Sequence, residues 1–180
     1  MTIVKRETAE TRISIELQRS GSASDISTSV AFLDHMLATF ARYSGVRMII
    51  SATGDLKHHI IEDVAIALGA ALNQFVPESA ERYGARTIPM DDAVVEAVVD
   101  TGGRAYYRGP IPSSLYDHFM RSLAENARMT LHIRVIRGHD RHHIVEAAFK
   151  ALGLALRDAM RDSGGGAVFS TKGSVAAEIN

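Results

Sequence analysis

The chain has 180 residues, 46% of them apolar and 23% charged, with a formal net charge of −1. That composition is ordinary for a soluble globular protein and gives no overall pull toward nucleic acid or an anionic membrane. Cysteine is absent, which excludes disulfides, thiolate metal sites and cysteine nucleophiles and leaves only nitrogen and oxygen ligands for any metal. The opening MTIVKRETAE has no signal-like apolar core, and no apolar run nears membrane-spanning length, so a cytoplasmic protein is expected.

Along the chain, Arg12 to Leu17 alternates with Ile13, Ile15 and Leu17 on one face, the pattern of a half-buried strand. Gly21 to Ser29, rich in Ser and Gly, reads as a loop. Phe32, Leu33, Met36, Leu37 and Phe40 keep helical spacing, with Gly45 placed to stop the helix. Val46 to Thr53 is β-rich, and a helix from about His58 to Gln74 follows, with Asp55 as a nearby cap and Pro77 beyond its end. The second half repeats the order. Ala93 to Asp100 is a strand, Gly102-Gly103 turns into Arg104 to Arg108, and Tyr116 to Arg128 has helical spacing. Thr130 to Ile136 alternates, and Arg141 to about Asp162 is a helix stopped by Gly164-Gly165-Gly166. Each half reads strand–strand–helix–strand–helix, an α+β arrangement with helices packed on one face of a strand-rich sheet. The halves fall at 1–83 and 84–162, with a C-terminal tail at 163–180, together one compact domain.

The repeat is chemical as well as structural. HHIIEDVAIALGAAL from His58 returns 84 residues later as HHIVEAAFKALGLAL from His142, identical at nine positions that include every histidine and both glutamates. Asp34-His35 returns as Asp117-His118. A repeated packing unit needs to keep only its apolar face; imidazoles and carboxylates are what transition metals bind. On a helix, His58 and Glu62 share a face, as do His142 and Glu146, while His59 and His143 are turned by roughly 100°. One histidine of each pair must therefore serve a different ion. Exchange across a two-fold, with His35 and His118 added, gives two sites of three His and one Glu with open positions, suited to manganese, iron or zinc. His132 and His139 have no counterpart in the repeat and read as a structural and a loop residue.

Arg82 before Tyr83-Gly84, Arg104 after Gly102-Gly103, and Ser170-Thr171-Lys172-Gly173 are short, polar, glycine-flanked segments that together fit a phosphate clamp. A hydrolase with a bridged metal pair would want a carboxylate between its ions, and the set offers one Glu per ion. A metal store would leave these cations without a role.

Over nearly the whole chain, the sequence resembles imidazoleglycerol-phosphate dehydratase. The resemblance lies in Phe32-Leu33-Asp34-His35-Met36-Leu37, His58-His59-x-x-Glu62-Asp63, Arg82-Tyr83-Gly84, Asp100 to Arg104, Asp117-His118-Phe119, His142 to Ala147 and Ser170 to Gly173. It implies a duplicated ribosomal protein S5 domain 2-like fold and two Mn(2+) per subunit. One would be held by His35, His58, Glu62 and His143, the other by His59, His118, His142 and Glu146. Arg82, Arg104, Ser170, Thr171 and Lys172 would bind the substrate phosphate, and Glu10 would contact the substrate and share proton transfer with Glu62 and Glu146. It implies a homo-oligomer, a 24-mer built from trimers with active sites at subunit interfaces. The reaction is dehydration of imidazole glycerol phosphate to imidazole acetol phosphate in L-histidine biosynthesis, through a metal-bound imidazolate and a diazafulvene. The segment Gly54-Asp55-Leu56-Lys57 is shorter than the family's usual stretch, Ile60-Ile61 replaces a more polar pair, and Ala31 and Phe169 stand where proline is common.

Overall fold

A computed structural model describes residues 1–19 and 23–164. Its elements, in chain order, are β1 (Thr2–Glu7), β2 (Thr11–Gln18), β3 (Asp25–Ser27), α1 (Ala31–Ser44), β4 (Arg47–Gly54) and α2 (Lys57–Phe75). The second half follows with β5 (Tyr83–Met90), β6 (Ala93–Asp100), β7 (Tyr106–Arg108), α3 (Ser114–Asn126), β8 (Thr130–Arg137) and α4 (Arg141–Ala159). The two halves form separate four-stranded sheets of the same topology, β1-β2-β4-β3 and β5-β6-β8-β7. In each, the short third strand runs parallel to its neighbour and the other pairings are antiparallel. The duplication read from the motifs is thus a duplication of the whole unit.

The alternating segments are the central strands. Ile13, Ile15 and Leu17 of β2 and Val95, Ala97 and Val99 of β6 all face the core. Three strands were not expected as such. β1 is an edge strand with no fully buried residue, and β5 buries only Gly84, so neither has a clear apolar alternation. β3 lies inside the Gly- and Ser-rich stretch read as a loop, its three residues paired to β4. Each half therefore has three strands before its first helix, rather than two.

The helices lie between the sheets. α2 packs on β1, β2 and β4 of its own half and on α3 of the other; α4 packs on β5 and β6 and on α1. Buried residues of both halves join in one apolar cluster. The glycine that recurs within the duplicated helix has its reason here. A Cβ on Gly69 would come within 2.7 Å of the Leu123 carbonyl oxygen of α3, and one on Gly153 within 2.9 Å of Tyr43 of α1. Each is the crossing point with the shorter helix.

Gly45 ends α1 as expected, in the left-handed region at φ 72° with its N–H on the Ala41 carbonyl. Asp55 is not the cap of α2. Leu56 holds that position without a side-chain cap, and the Asp55 carboxylate is engaged elsewhere. α4 is properly capped by Asp140, which accepts the N–H groups of His142 and His143. α4 also ends at Ala159, a few residues before Asp162, because residues 159–163 turn to pair with residues 79–82.

Candidate metal centres and their surroundings

Pairing α1 with α4 and α2 with α3 brings the starts of the shorter helices onto those of the doubled ones. His35 Nε2 lies 3.3 Å, and His142 Nε2 3.1 Å, from the same oxygen of Glu146. In the other group, His58 Nε2 lies 3.4 Å and His118 Nε2 3.2 Å from the two oxygens of Glu62. In each group the ligand atoms all fall within 4.8 Å of one another. The rings of His58 and His118 are stacked, 5.8 Å between centroids. Phe32 lies edge-on to both His142 and Tyr116.

This partition differs from the expected one. Within a single chain, His35 joins His142 and Glu146, and His118 joins His58 and Glu62. The doubled helices do not swap a histidine with each other in the chain. The residues that cross between halves are those of the Asp-His helices, because the tight glycine crossings pack α1 on α4 and α3 on α2. Two imidazole nitrogens and one carboxylate, with no sulfur, form a donor set that fits manganese, iron or zinc and leaves positions for further ligands.

Glu146 is buried, 7% exposed, whereas Glu62 is half-buried. Lys150, one turn on, places its Nζ 2.8 Å from the free Glu146 oxygen. Burial pushes the Glu146 carboxyl up, but Lys150 and the two imidazoles outweigh it and hold the group below its ordinary value. Sequence reasoning passed over Lys150. The available signal was a lone cation four residues after Glu146 inside an otherwise apolar stretch. Ile66 stands at the equivalent position of α2, so the two centres are not electrostatically alike.

His59 and His143 join neither group. His59 Nδ1 lies 2.8 Å from Asp55 and 3.4 Å from Glu10. Glu10, in the turn between β1 and β2, forms with Asp55 and His59 a third group of closely spaced donors. His143 Nδ1 lies 2.7 Å from Asp92 in the turn between β5 and β6. Each carboxylate raises its imidazole's pKa, and each imidazole lowers its carboxylate's; Asp92 is held far down, helped by the backbone N–H groups of His139 and Asp140.

The aspartates of the Asp-His pairs have a shared job. Asp34 Oδ1 accepts the Thr28 N–H and hydroxyl, and Asp117 Oδ1 accepts the Ile111 N–H and the Tyr107 hydroxyl. Each therefore ties the loop six residues upstream to the first turn of the helix presenting the histidine. Asp63, beside Glu62 but on the buried side of α2, binds Arg6 at 2.8 Å and the Thr11 hydroxyl, fastening β1 and β2 to that helix.

The basic residues lie elsewhere. Arg82, at φ 70°, stands just before β5 with its guanidinium forked on Asp100 at 3.0 and 3.1 Å, and the loop at Gly102 lies directly against it. It is a largely buried, oriented cation, and Asp100 raises its pKa. Arg104 follows on the same loop and is exposed. Ser170, Thr171 and Lys172 lie outside the described residues. His132, in β8, lies with its ring tilted against that of Tyr106, and His139 is in the loop before α4. Among the described residues, no helix is long and apolar enough to cross a membrane.

Comparison with known proteins gives a consistent result. The profile of the imidazoleglycerol-phosphate dehydratase family matches residues 28–156. The imidazoleglycerol-phosphate dehydratase of Salinibacter ruber is 44% identical, over 96% of this chain and 94% of its own length. That of Methanococcoides burtonii is 42% identical, over 94% of this chain and 96% of its own. The crystal structure of IGPD from Pyrococcus furiosus superposes with a TM-score of 0.85 at 43% identity, covering 95% of this chain and 99% of that one. The Staphylococcus aureus imidazoleglycerol-phosphate dehydratase gives 0.80 at 36% identity, covering 91% of this chain and all of the other. With this agreement across profile, full-length relatives and fold, the chain belongs to the imidazoleglycerol-phosphate dehydratase family of hydro-lyases.

Proposed function

We propose that the chain dehydrates imidazole glycerol phosphate to imidazole acetol phosphate in L-histidine biosynthesis, as a cytoplasmic enzyme that uses two Mn(2+) per subunit. The observation that carries this reading is the pair of His–His–Glu groups, each built across the two halves of a chain of this family. His35, His142 and Glu146 would hold one ion, and His58, Glu62 and His118 the other. Each group then lacks one histidine of the expected three, and each chain has two left over, His59 and His143. In our reading these reach the groups of neighbouring subunits, His59 completing the Glu146 set and His143 the Glu62 set, in a homo-oligomer of 24 subunits built from trimers. Bound there, manganese supplies Lewis-acid polarisation of the substrate's imidazole ring, lowering the pKa of its N–H.

The chain's own residues do the rest. The reaction must move a proton from the side-chain carbon next to the one that loses its hydroxyl. Glu10 is the candidate base, an exposed carboxylate at the end of the sandwich where His59 stands. Glu62 and Glu146 are occupied by their imidazoles and Lys150, which suits ligation better than proton carriage. Arg82, oriented by Asp100, would bind the phosphate together with Arg104, Ser170, Thr171 and Lys172 and hold the glycerol chain in place, the positioning that makes proton transfer efficient. Incubating the purified protein with imidazole glycerol phosphate and manganese tests the reading. Imidazole acetol phosphate should accumulate; no turnover in an intact, metal-loaded assembly would end it.

A further inference from the structure

The second histidine of each doubled helix is held in one orientation by an aspartate, and the two aspartates come from unrelated places. Asp55 is local, four residues before His59 and just ahead of α2. Asp92 is 51 residues from His143, in the turn between β5 and β6. At the repeat offset, which aligns Gly54 with Gly138, Asp55 falls on His139, which is not an acid. The Asp55 contact therefore has no counterpart at the repeat offset, whereas Asp92 occupies the turn equivalent to that of Glu10.

Each contact fixes the chemistry of the ring. A carboxylate has only lone pairs to offer, so the Nδ1 facing it carries a proton, and in the neutral ring, the form that binds a metal, Nε2 keeps its lone pair on the opposite side. The aspartates are themselves fixed. Asp55 Oδ1 also accepts the Leu56 N–H at 2.6 Å. Asp92 uses its other oxygen on the N–H groups of His139 at 2.6 Å and Asp140 at 3.2 Å, and Asp140 in turn caps the helix that carries His143. The other neighbours are looser: Glu10 lies 3.4 Å from His59 Nδ1, and Asp91 lies 3.4 Å from His143 Nε2.

We infer that Asp55 and Asp92 are positioning residues that set His59 and His143 in the Nδ1–H tautomer with Nε2 presented outward, so that each chain offers two ready imidazoles to ions held by its neighbours. This rests on the reading that His59 and His143 complete metal sets of other subunits. A metal-binding imidazole whose far nitrogen is anchored to a carboxylate gains orientation and basicity, and losing such an anchor costs about 10–100-fold in metal affinity.

Asp55 gives the cleaner test, because an asparagine Oδ1 can accept the same two N–H groups, whereas at Asp92 an amide must give up one side. Full-length protein is titrated with Mn(2+) alone, following free Mn(2+) by electron paramagnetic resonance and particle mass in parallel. Asp55→Ala should weaken binding at the affected sites about 10–100-fold, Asp55→Asn should stay near wild type, and Asp55→Ala should add nothing in a His59→Ala background. Wild-type affinity in Asp55→Ala, with binding lost in His59→Ala, would overturn the positioning role while keeping the shared-ligand reading. Equal losses in Asp55→Ala and Asp55→Asn would assign the effect to charge and overturn it too. Unchanged manganese binding in His59→Ala would remove the shared-ligand reading itself, and this inference with it.

Discussion

Arg82 and His143 stand at opposite ends of one strand pair. Arg82 is forked on Asp100 at the last residue of β6, and His143 is bonded to Asp92 just before the first. At about 3.4 Å per residue, the eight residues of β6 separate these ends by roughly 24 Å. A small substrate could not touch both Arg82 and His143 of the same chain, so under the proposed function the two residues serve one site only if they come from different subunits. Co-assembled subunits carrying Arg82→Ala and His143→Ala should therefore regain activity that neither variant has alone, with about a quarter of sites intact in an equal random mixture. Steady-state assays of refolded mixtures measure this, and activity no greater than the sum of the parents would argue for a site within one subunit.

Arg104 is exposed, and among the described residues its side chain makes no hydrogen bond, so its removal should touch substrate and little else. Arg104→Ala is expected to raise KM by about 10–100-fold, the loss of one charge-assisted hydrogen bond or more. Manganese content should stay at the wild-type level. Kinetics alongside elemental analysis checks both, and an unchanged KM would remove Arg104 from the phosphate site.

The central strands and all four helices were readable from the sequence, because apolar periodicity survives in one dimension, and six of the eight candidate ligands stand in the two His–His–Glu groups. The edge strands β1 and β5 were hidden because an edge strand buries too little to enforce alternation. How the candidate ligands group within one chain was hidden for another reason. Helix periodicity places Glu62 with His58, but which shorter helix supplies the next histidine depends on the crossings at Gly69 and Gly153, where the neighbouring helix lies too close for a side chain. Asp92 was invisible as the partner of His143 because 51 residues separate them.

Tyr116 is buried among Phe32, Phe119 and Phe149, and its hydroxyl has no hydrogen-bond partner among the described residues. Burial pushes the phenol pKa upward, so the group stays neutral. Tyr116→Phe removes an unsatisfied polar atom while keeping the ring, and it is expected to leave stability unchanged or raise it by about 1 kcal/mol. Thermal unfolding of the metal-free protein reads this directly, and a loss of that size would mean the hydroxyl is satisfied.

Asp117 is the opposite case. Its Oδ1 accepts from both the buried Tyr107 hydroxyl and the Ile111 N–H. Asp117→Ala leaves both donors unpaired and loosens the loop that sets His118, at an expected cost of about 2–4 kcal/mol from two lost partners. Combining it with Tyr107→Phe should recover part of that cost, since one orphaned donor is then removed. Chemical denaturation of the two single variants and the double gives the cycle.

Under the proposed function, manganese held by histidines of more than one subunit creates both the assembly and the active site. The most direct measurement is particle mass and imidazole glycerol phosphate turnover on the same sample, before chelation, after it, and after Mn(2+) is returned. The expected result is a large particle that turns over substrate, smaller inactive species once the metal is removed, and recovery of both on its return. A chelated sample verified free of metal that keeps its full mass and full activity would contradict it.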